Sequence, residues 1–382
     1  MMAERTAVIA GGGIGGLAAA VALSRRGWRV EVCERAAEFT EIGAGLSLWP
    51  NALRALAALG LDGQVREVGA VEAGGGVRDR TGRWLARTDN AVLEARFGAP
   101  LVVLHRAELI RILAGALPDG ALRPSTTITG VHDDGDAVVA EHDRGSLRAA
   151  LVIGADGLRS AVRRAGWPSA APPRYAGFTA WRMVTEPLPE PLAGGAVTWG
   201  RGEEFGFTSM SGGRVYCFGA AATPEGGAAP DGERAEVRRR FEAWPEPIPA
   251  LLASVPEGGV LRHDIYTLPP LSTFVSGRMA LLGDAAHAMT PNLGQGGCQA
   301  LEDAVVLAEC LGGAAGDVAA ALARYDRLRR PRTQRVARRA ARLGAVGNVA
   351  WPPAVMARNV AARLLPTSVT LRSMAPILGW RA

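Results

Sequence analysis

Six residues near the start of the chain, Gly11-Gly12-Gly13-Ile14-Gly15-Gly16, have the GxGxxG spacing of a turn that binds a dinucleotide. Gly11 permits the tight turn, Gly13 lets a pyrophosphate approach the backbone, and Gly16 lets the following helix pack close to the strand. The N-terminus of that helix offers unpaired N–H groups to the phosphates. Glu34 follows Gly16 after 18 residues, where its carboxylate would accept hydrogen bonds from a ribose and repel a 2′-phosphate. The motif predicts an adenine dinucleotide other than NADP, although such a turn alone also occurs in other α/β proteins.

A second group of residues suited to cofactor binding lies more than 250 residues later. In Gly283-Asp284-Ala285-Ala286-His287, the Asp284 carboxylate follows a predicted strand and can bind hydroxyls of a ribityl chain. A helix near Cys298 would point its N–H groups at the pyrimidine edge of a flavin, and the residues leading into it are Pro291-Asn292-Leu293-Gly294-Gln295-Gly296-Gly297. Reduced flavin is negatively charged near that edge, and a helix N-terminus stabilises such charge. A nicotinamide dehydrogenase needs only the first turn, so this second group favours FAD.

The composition excludes several other chemistries. All 43 basic residues are arginine, so no lysine is available for a Schiff base or for a P-loop. The four cysteines form no CxxC pair, and we predict no metal site. The formal net charge of +6 occurs without any nucleic-acid-binding motif, so we expect no nucleic-acid partner.

Hydrophobic patterning places the motifs between strands and helices. Ala7–Ala10 and Arg29–Glu34 are predicted strands on either side of a helix over Leu17–Arg26, which is the first unit of a doubly wound parallel sheet. Short alternating runs from Arg174 to about Pro269 predict an antiparallel sheet that covers a pocket. A further helix over Asn51–Leu59 is expected to be capped by Asn51.

The predicted fold class is α/β: a doubly wound Rossmann-like FAD domain, an inserted antiparallel-sheet substrate domain and a C-terminal helical segment. The FAD domain is discontinuous because its motifs are far apart in the chain. We assign residues 1–70, 98–172 and 270–345 to the FAD domain, 71–97 and 173–269 to the substrate domain, and 346–382 to the C-terminal segment.

Three motifs in this order resemble those of the class A, single-component FAD-dependent aromatic hydroxylases, the para-hydroxybenzoate hydroxylase type. Gly154-Ala155-Asp156-Gly157-Leu158-Arg159-Ser160 resembles the family's DG motif, which serves both FAD and the nicotinamide donor, and Gly283-Asp284 resembles its GD motif. Gly43–Asn51 and His105–Leu109 also resemble family segments. The resemblance spans nearly the whole chain and is nearest to the branch of salicylate hydroxylase, urate hydroxylase and zeaxanthin epoxidase. It implies that four further residues lie along the adenosine or the flavin: Arg35, Gly45, Ser47 and Arg106.

The resemblance also implies the reaction. NADH or NADPH reduces FAD, O2 adds at flavin C4a, and the resulting hydroperoxide transfers one oxygen atom to an aromatic ring or a double bond. The cofactor carries this chemistry, while the protein holds the substrate and excludes water, so no catalytic side chain is assigned. The donor binds transiently in this family, which agrees with the lack of a second GxGxxG turn.

Three residues are candidates for substrate contacts: Arg182, Phe205 and Tyr216. Arg182 would anchor an anion or, alternatively, pair with a surface acid. Tyr216 would hydrogen-bond a ring substituent or, alternatively, belong to the core of a strand. Urate-type members of the family carry an arginine around Glu203–Phe207, whereas this chain has two glutamates there. An anionic purine is therefore disfavoured, and we expect a neutral aromatic or polycyclic substrate.

Several of these residues also have a purely structural interpretation. Asp156 could cap a helix, and Arg106 could form a surface ion pair. Cys298, beside the glycine run, is a candidate cofactor contact and is expected to be a small packing residue near the flavin. His287 is expected to be structural rather than catalytic. At the level of function, the alternatives are a flavin reductase or dehydrogenase that inserts no oxygen, and a flavoprotein that sequesters a reactive metabolite.

The stretch Arg324–Arg342 contains nine arginines. A solvated helical face is the favoured interpretation, and a membrane-surface or subunit contact is the alternative. No signal peptide and no transmembrane stretch is recognised, which indicates the cytoplasm. Monomer and homodimer both stay open.

Overall fold

The computed structural model describes residues 5–39, 45–135, 137–192, 194–313 and 317–381. Gly43 and Ala44, which open one of the segments that carry the family resemblance, lie outside the described residues.

The strands of the described chain alternate with helices in its first third and then become consecutive. In chain order they are β1 (Thr6–Ala10), β2 (Arg29–Cys33), β3 (Gly45–Leu48), β4 (Ala70–Val71), β5 (Gly74–Asp79), β6 (Trp84–Asp89), β7 (Val102–His105), β8 (Leu122–Arg123), β9 (Ile128–Asp133), β10 (Val138–His142), β11 (Gly145–Ala149), β12 (Leu151–Gly154), β13 (Arg174–Val184), β14 (Ala196–Trp199), β15 (Glu203–Ser209), β16 (Val215–Ala221), β17 (Leu261–Thr267), β18 (Val275–Ser276) and β19 (Met279–Leu281).

The helices become long towards the C-terminal part. They are α1 (Ile14–Ser24), α2 (Pro50–Ala58), α3 (Asp62–Val68), α4 (Asn90–Phe97), α5 (Arg106–Gly115), α6 (Ala161–Gly166), α7 (Glu233–Phe241), α8 (Ile248–Ala253), α9 (Asp284–His287), α10 (Gly296–Gly313), α11 (Val318–Gly347), α12 (Pro352–Leu364) and α13 (Thr367–Leu378). Two short 3₁₀ turns cover Ser211–Gly213 and Pro291–Leu293. No helix of the described residues is long and apolar enough to cross a membrane.

A six-stranded sheet brings the three cofactor motifs to one edge. Its strand order is β18-β19-β12-β1-β2-β8, and β19, β12, β1 and β2 run parallel. Ala10 pairs with Gly154, and Gly154 pairs with Leu281, so three neighbouring strands end side by side. Ligands of open parallel sheets bind at the carboxyl ends of the strands. The predicted α/β fold with a doubly wound sheet is therefore confirmed.

Helix α1 is packed tightly against this sheet and against α10. Every residue from Ile14 to Leu23 is buried, which the small side chains of the segment allow. A Cβ at Gly15 would stand 2.6 Å from the Leu282 side chain and 3.2 Å from Ala300 Cβ, closer than ordinary van der Waals contact. The glycine therefore sets the distance between the two helices.

A seven-stranded sheet, in the order β17-β13-β16-β15-β14-β5-β6, forms the second layer. Its neighbouring strands are antiparallel except β14 and β5, which run parallel, so the predicted antiparallel sheet is correct in all but one pairing. Side chains on one face pack against α7 and α8, around Trp181, Phe205 and Phe241. Because side chains alternate along a strand, the intervening residues face the opposite way, towards the cofactor motifs.

A buried group of charges joins α10 to α11. The Arg329 guanidinium donates from Nη1 to Glu302 Oε2 at 2.6 Å and from Nε to Asp303 Oδ1 at 2.7 Å, and all three side chains are almost completely buried. Asp303 Oδ2 also accepts from the Gly283 N–H at 3.0 Å and contacts His287 Nε2 at 2.6 Å. Burial alone would raise the pKa of Asp303, but the charges of His287 and Arg329 hold it well below its usual range. His287 is structural, as expected.

Asn51 has a different role from the predicted one. Helix α2 begins at Pro50 with Trp49 at the N-cap position, because proline at the first helical position needs no N–H partner. The Asn51 side chain is buried and donates to Gln295 Oε1 at 3.0 Å and to Glu302 Oε1 at 2.7 Å. The capping prediction is therefore wrong, and Asn51 links α2 to the glycine run before α10.

We expect Arg329→Ala to lower the free energy of unfolding by about 3–5 kcal/mol, because it removes the buried guanidinium that two buried carboxylates share. Glu302 would keep only Arg332, and Asp303 would have no arginine partner. Urea denaturation measures this loss. Arg330→Ala is the matched control, since Arg330 pairs with Asp326 at 3.1 Å while remaining partly in water; it should cost about 1 kcal/mol or less. Equal losses in the two variants would contradict the central place of Arg329.

Candidate active site

A cavity of about 1050 Å³ lies between the motif edge of the six-stranded sheet and the free face of the seven-stranded sheet. It exceeds slightly the range of about 300–1,000 Å³ typical of sites for small ligands. Its walls include residues of all three motifs: Gly11, Gly12, Gly13, Ile14, Gly15, Asp156, Gly157, Gly283, Asp284, Pro291, Gly294, Gln295, Gly296 and Gly297. The sequence motifs, far apart in the chain, thus meet in one space.

The glycine turn has the geometry that its spacing predicts. Gly11 has a φ of 102°, and a Cβ there would collide with the Ala155 carbonyl. A Cβ at Gly16 would collide with the Gly11 carbonyl, so Gly16 brings the helix close to the strand and does not itself line the cavity. Gly13 has open space where a Cβ would lie. A pyrophosphate could approach the backbone at that point.

Glu34 closes the turn from the end of β2. Its Oε2 accepts from the Gly12 N–H at 2.7 Å, and its Oε1 accepts from the Ala36 N–H at 2.9 Å. These bonds fix the carboxylate beside the glycine turn, and both Glu34 and Arg35 line the cavity. The remaining lone pairs of the carboxylate can accept from ribose hydroxyls.

One carboxylate oxygen of Asp156 caps a helix, and the other has no hydrogen-bond partner among the described residues. Its Oδ2 accepts from the N–H groups of Ala161 at 2.6 Å and Val162 at 3.2 Å, so it does cap α6 together with Ser160. Its Oδ1 is buried without a hydrogen-bond partner among the described residues. Buried carboxylate oxygens are rarely left unsatisfied, so this atom fits a ligand hydroxyl.

The glycine run before α10 holds a second unused polar atom. Gln295 Oε1 accepts from Asn51 and from Gln299 Nε2 at 3.1 Å, which fixes the amide. Gln295 Nε2 is buried with no partner among the described atoms, and Gln295 lines the cavity. A Cβ at Gly296 would meet open space. Asp156 Oδ1, Gln295 Nε2 and the open glycines at both ends therefore fit a molecule that is polar along its length, as FAD is.

Arg106, Ser47 and Gly45 line the middle of the cavity. Burial lowers the pKa of the Arg106 guanidinium, and the Asp284 carboxylate opposes that shift. Arg106 therefore lies in the cavity wall, largely shielded from water. A Cβ at Gly45 would collide with the Tyr216 ring, so the glycine lets β3 approach β16.

The predicted contact of Cys298 with the cofactor is wrong, because Cys298 does not line the cavity. Its thiol is fully buried, 3.7 Å from the Ser47 carbonyl oxygen and 3.5 Å from the Gly294 carbonyl oxygen. Burial raises the pKa of the thiol to about 12, so it stays protonated at neutral pH. The packing role expected for this cysteine is the one observed.

The free face of the seven-stranded sheet forms the other wall. Arg182 and Tyr216 face the cavity from neighbouring strands, together with apolar residues: Val77, Ala86, Ala180, Val197, Phe218 and Ala220. Burial raises the pKa of Tyr216, and the Arg182 charge opposes this shift. Arg182 and Tyr216 thus both line the cavity, and their contact with a substrate stays a prediction.

The prediction that Phe205 contacts the substrate is wrong, because Phe205 lies on the face of the sheet opposite to the cavity. It is completely buried, and its ring centroid lies 5.3 Å from that of Phe241 in the core beneath α7. The alternation of β15 instead turns Glu204 towards the cavity. Thr208 pairs with Tyr216 across β15 and β16, and side chains on one face of a strand recur at every second residue. Counting back from Thr208 in steps of two would have placed Glu204, and not Phe205, on the cavity face.

Glu204 is a further candidate for substrate contact, which the sequence motifs did not indicate. Its side chain accepts a hydrogen bond from Trp199, and its Oε1 lies 3.3 Å from Asn292 Nδ2. Burial raises its pKa to about 7, although Trp199 and the Arg358 charge oppose the shift. A carboxyl with such a pKa can donate or accept a hydrogen bond near neutral pH.

We expect Gly13→Ala to fold normally but to weaken FAD binding by about tenfold or more, equivalent to about 1.4 kcal/mol. The backbone at Gly13 has φ −74° and ψ −179°, which any residue adopts, whereas the added methyl group would occupy the cavity. Equilibrium titration of the FAD-free protein with FAD measures the affinity. Gly115→Ala, which also adds a methyl group in open space but outside the cavity, is the control. Unchanged affinity in Gly13→Ala would contradict the placement of the pyrophosphate.

Comparison with known proteins agrees with this geometry. A family model described as an FAD binding domain matches residues 4–340. The chain is 40% identical over 345 residues to aurachin C monooxygenase/isomerase of Stigmatella aurantiaca, covering 90% of this chain and 89% of that protein. It is 36% identical over 329 residues to FAD-dependent urate hydroxylase of Klebsiella pneumoniae, covering 84% of each.

The fold is also shared with solved structures. The crystal structure of Klebsiella pneumoniae HpxO complexed with FAD and uric acid has a TM-score of 0.92 at 31% identity, covering 99% of this chain and 97% of that one. The motifs, the cavity and these similarities agree with one another. The chain therefore belongs to the FAD binding domain family and, within it, to the class A FAD-dependent monooxygenases.

Proposed function

We propose that the protein uses NADH or NADPH and O2 to hydroxylate or epoxidise a neutral aromatic or polycyclic small molecule. The observation that carries this proposal is a single cavity with a dinucleotide-binding wall and a largely apolar, aromatic wall. Bound FAD would supply the redox chemistry. The chain would bind the cofactor, orient the substrate and exclude water.

We assign the adenosine and pyrophosphate to the glycine turn with Glu34 and Arg35. The remaining cofactor contacts go to Gly45, Ser47, Arg106, Asp156, Gly157, Gly283, Asp284, Pro291, Gly294, Gln295, Gly296 and Gly297. The division into FAD, substrate and C-terminal segments at the boundaries given above belongs to the same proposal. It is supported by the two separate sheets, because β5 and β6 pair with the substrate sheet although they precede most of the FAD domain in sequence.

The preference for a neutral substrate rests on Glu204. An anion placed beside this buried carboxyl would be repelled once Glu204 ionises, because repulsion between like charges is strong where little water is present. A ring with an N–H or O–H group can instead donate to Glu204, while Arg182 and Tyr216 bind an acceptor group elsewhere on the ring system. The relatives named for urate and for aurachin C leave the ring system itself open.

We also propose a cytoplasmic protein that is a monomer or a homodimer. All four cysteines of the chain are free and buried thiols, as is usual in reducing compartments.

Substrate-stimulated oxidation of NADH and NADPH over a panel of neutral and anionic aromatic compounds tests the proposal. With ¹⁸O-labelled O2, the product of the best substrate should contain one labelled oxygen atom. Rapid oxidation of NADH without label in any product would favour a reductase or dehydrogenase instead. Absence of stimulation by the whole panel would favour a sequestering flavoprotein, and fastest turnover with urate or salicylate would contradict the neutral substrate.

We expect Glu204→Gln to remove a pH dependence of stability. The folded protein holds a proton on Glu204 up to about pH 7, whereas the ordinary value is 4.5. The stabilisation from this protonation is complete below about pH 4.5 and is lost as the pH rises to about 7. The wild-type protein should therefore lose about 3 kcal/mol relative to Glu204→Gln across that window.

Urea denaturation at a series of pH values measures this difference. Glu203→Gln is the matched control, because Glu203 lies next in the strand and pairs with Arg240 at 2.8 Å, away from the cavity. A constant difference between wild type and Glu204→Gln over the window would contradict the buried, protonated carboxyl.

A further inference from the structure

Large apolar side chains are exposed mainly in one part of the described chain. Of eleven such side chains, seven lie between residues 346 and 369. Three of them are among the most exposed apolar residues in the described protein, namely Trp351 at 69%, Met356 at 68% and Leu364 at 76%. Scattered exposed apolar residues are normal, but a concentration of this kind marks a contact surface. We call these seven residues the C-terminal apolar face: Val346, Trp351, Met356, Val360, Leu364, Leu365 and Val369.

Helix α12 presents its apolar stripe outwards. Met356, Val360 and Leu364 follow one another at intervals of four residues, so they share one side of the helix, and all three are exposed. In a helix that only covers a core, such a stripe would face inwards.

The orientation of α12 is fixed by a buried arginine on its inner side. Arg358 donates from Nη1 to the Gly347 carbonyl at 2.8 Å and from Nη2 to the Gly200 carbonyl at 2.9 Å. Its guanidinium also lies over the Trp199 ring, 5.1 Å from the centroid. Turning the apolar stripe inwards would break these contacts, so the exposed stripe is part of the folded state.

All charged side chains in the sequence around this face are cationic. Between residues 327 and 382 there are twelve arginines and no aspartate or glutamate. Four of these arginines pair with acidic side chains outside this stretch, namely Arg329, Arg330, Arg332 and Arg363. Exposed arginines occur on α11 and α13 as well, including Arg338, Arg342 and Arg372. Two copies of the chain meeting through this face would bring like charges together. The charge therefore favours an anionic partner over a second copy of the chain.

The same segment also borders the cavity. Leu343, Ala362, Leu365 and Thr370 belong to the cavity walls, and Leu365 is shared with the C-terminal apolar face. A partner on this face would therefore lie beside residues of the cavity wall.

We propose that the C-terminal apolar face docks on the surface of a lipid bilayer that contains anionic lipids. Exposed Trp, Met and Leu side chains with surrounding arginines are the combination that inserts shallowly at the interface, with the apolar groups in the acyl boundary and the arginines at the phosphates. Neither a nucleic acid nor an acidic surface of another protein would bury the exposed apolar stripe. Docking would let a substrate dissolved in lipid enter the cavity without crossing water, a consequence that rests on the proposed function.

Sedimentation of the FAD-loaded protein with vesicles tests the docking without any substrate. We expect the protein to sediment with vesicles of phosphatidylcholine mixed with phosphatidylglycerol, to bind much less to phosphatidylcholine alone, and to be released at high salt, because salt screens the arginine–phosphate attraction. In Met356→Ser/Leu364→Ser, the affinity for the mixed vesicles should fall by about tenfold or more. Arg338→Gln/Arg342→Gln should weaken binding to mixed vesicles and leave binding to phosphatidylcholine unchanged.

Val71→Ser/Leu328→Ser is the matched control, since it removes two exposed apolar side chains from outside the C-terminal apolar face. Bound FAD, read from the flavin absorbance, verifies that every variant is folded. Failure to bind mixed vesicles, or equal binding by wild type and Met356→Ser/Leu364→Ser, would overturn the proposal. So would a wild-type dimer, detected by sedimentation velocity, that becomes a monomer in Met356→Ser/Leu364→Ser. Each of these results is independent of whether any compound is oxygenated.

Discussion

The buried charge cluster around Arg329 is the constraint on which the site depends. Two adjacent carboxylates of α10, Glu302 and Asp303, lie fully inside the protein, where an uncompensated charge is very unfavourable. Arg329 of α11 pairs with both, and Arg332 adds a second positive charge at Glu302. These carboxylates also bind the Gly283 N–H, His287 and Asn51. Each of those partners belongs to a segment that lines the cavity or adjoins it. Satisfying the charges therefore fixes the GD turn and the glycine run at the same time.

The cavity lies where the strand ends of one sheet face the side chains of the other sheet. Parallel strands end together at one edge of the six-stranded sheet, which collects backbone N–H groups and the carboxylates Asp156 and Asp284. The seven-stranded sheet contributes every second side chain instead, so one face enters the α7–α8 core and the other faces the cavity. The first wall is built from backbone and suits a common cofactor. The second is built from side chains and can vary with the substrate while the sheet is kept.

This difference explains what the sequence could predict. The glycine motifs were recognisable because their function depends on local backbone geometry, as at Gly11 with its positive φ. The α/β fold followed for the same reason, since strand, turn and helix are adjacent in sequence. The roles of Asn51 and Phe205, and the cofactor contact of Cys298, were misjudged because the surroundings of these residues come from segments distant in the chain. For Asn51 the partners are Gln295 and Glu302, more than 240 residues away. For Phe205, a shift of one residue along β15 decides between core and cavity, and that is why Glu204 was missed.

Arg358 connects the substrate wall to the outer surface of α12. Its guanidinium lies over Trp199, which donates a hydrogen bond to Glu204, and its charge opposes the rise in the pKa of Glu204 caused by burial. The same guanidinium donates hydrogen bonds to the carbonyls of Gly347 and Gly200. These bonds hold the apolar stripe of α12 outwards. A displacement of α12 on docking would therefore move a positive charge that acts on Glu204. Such a displacement would change the pKa of Glu204, because a nearby positive charge favours the ionised carboxylate.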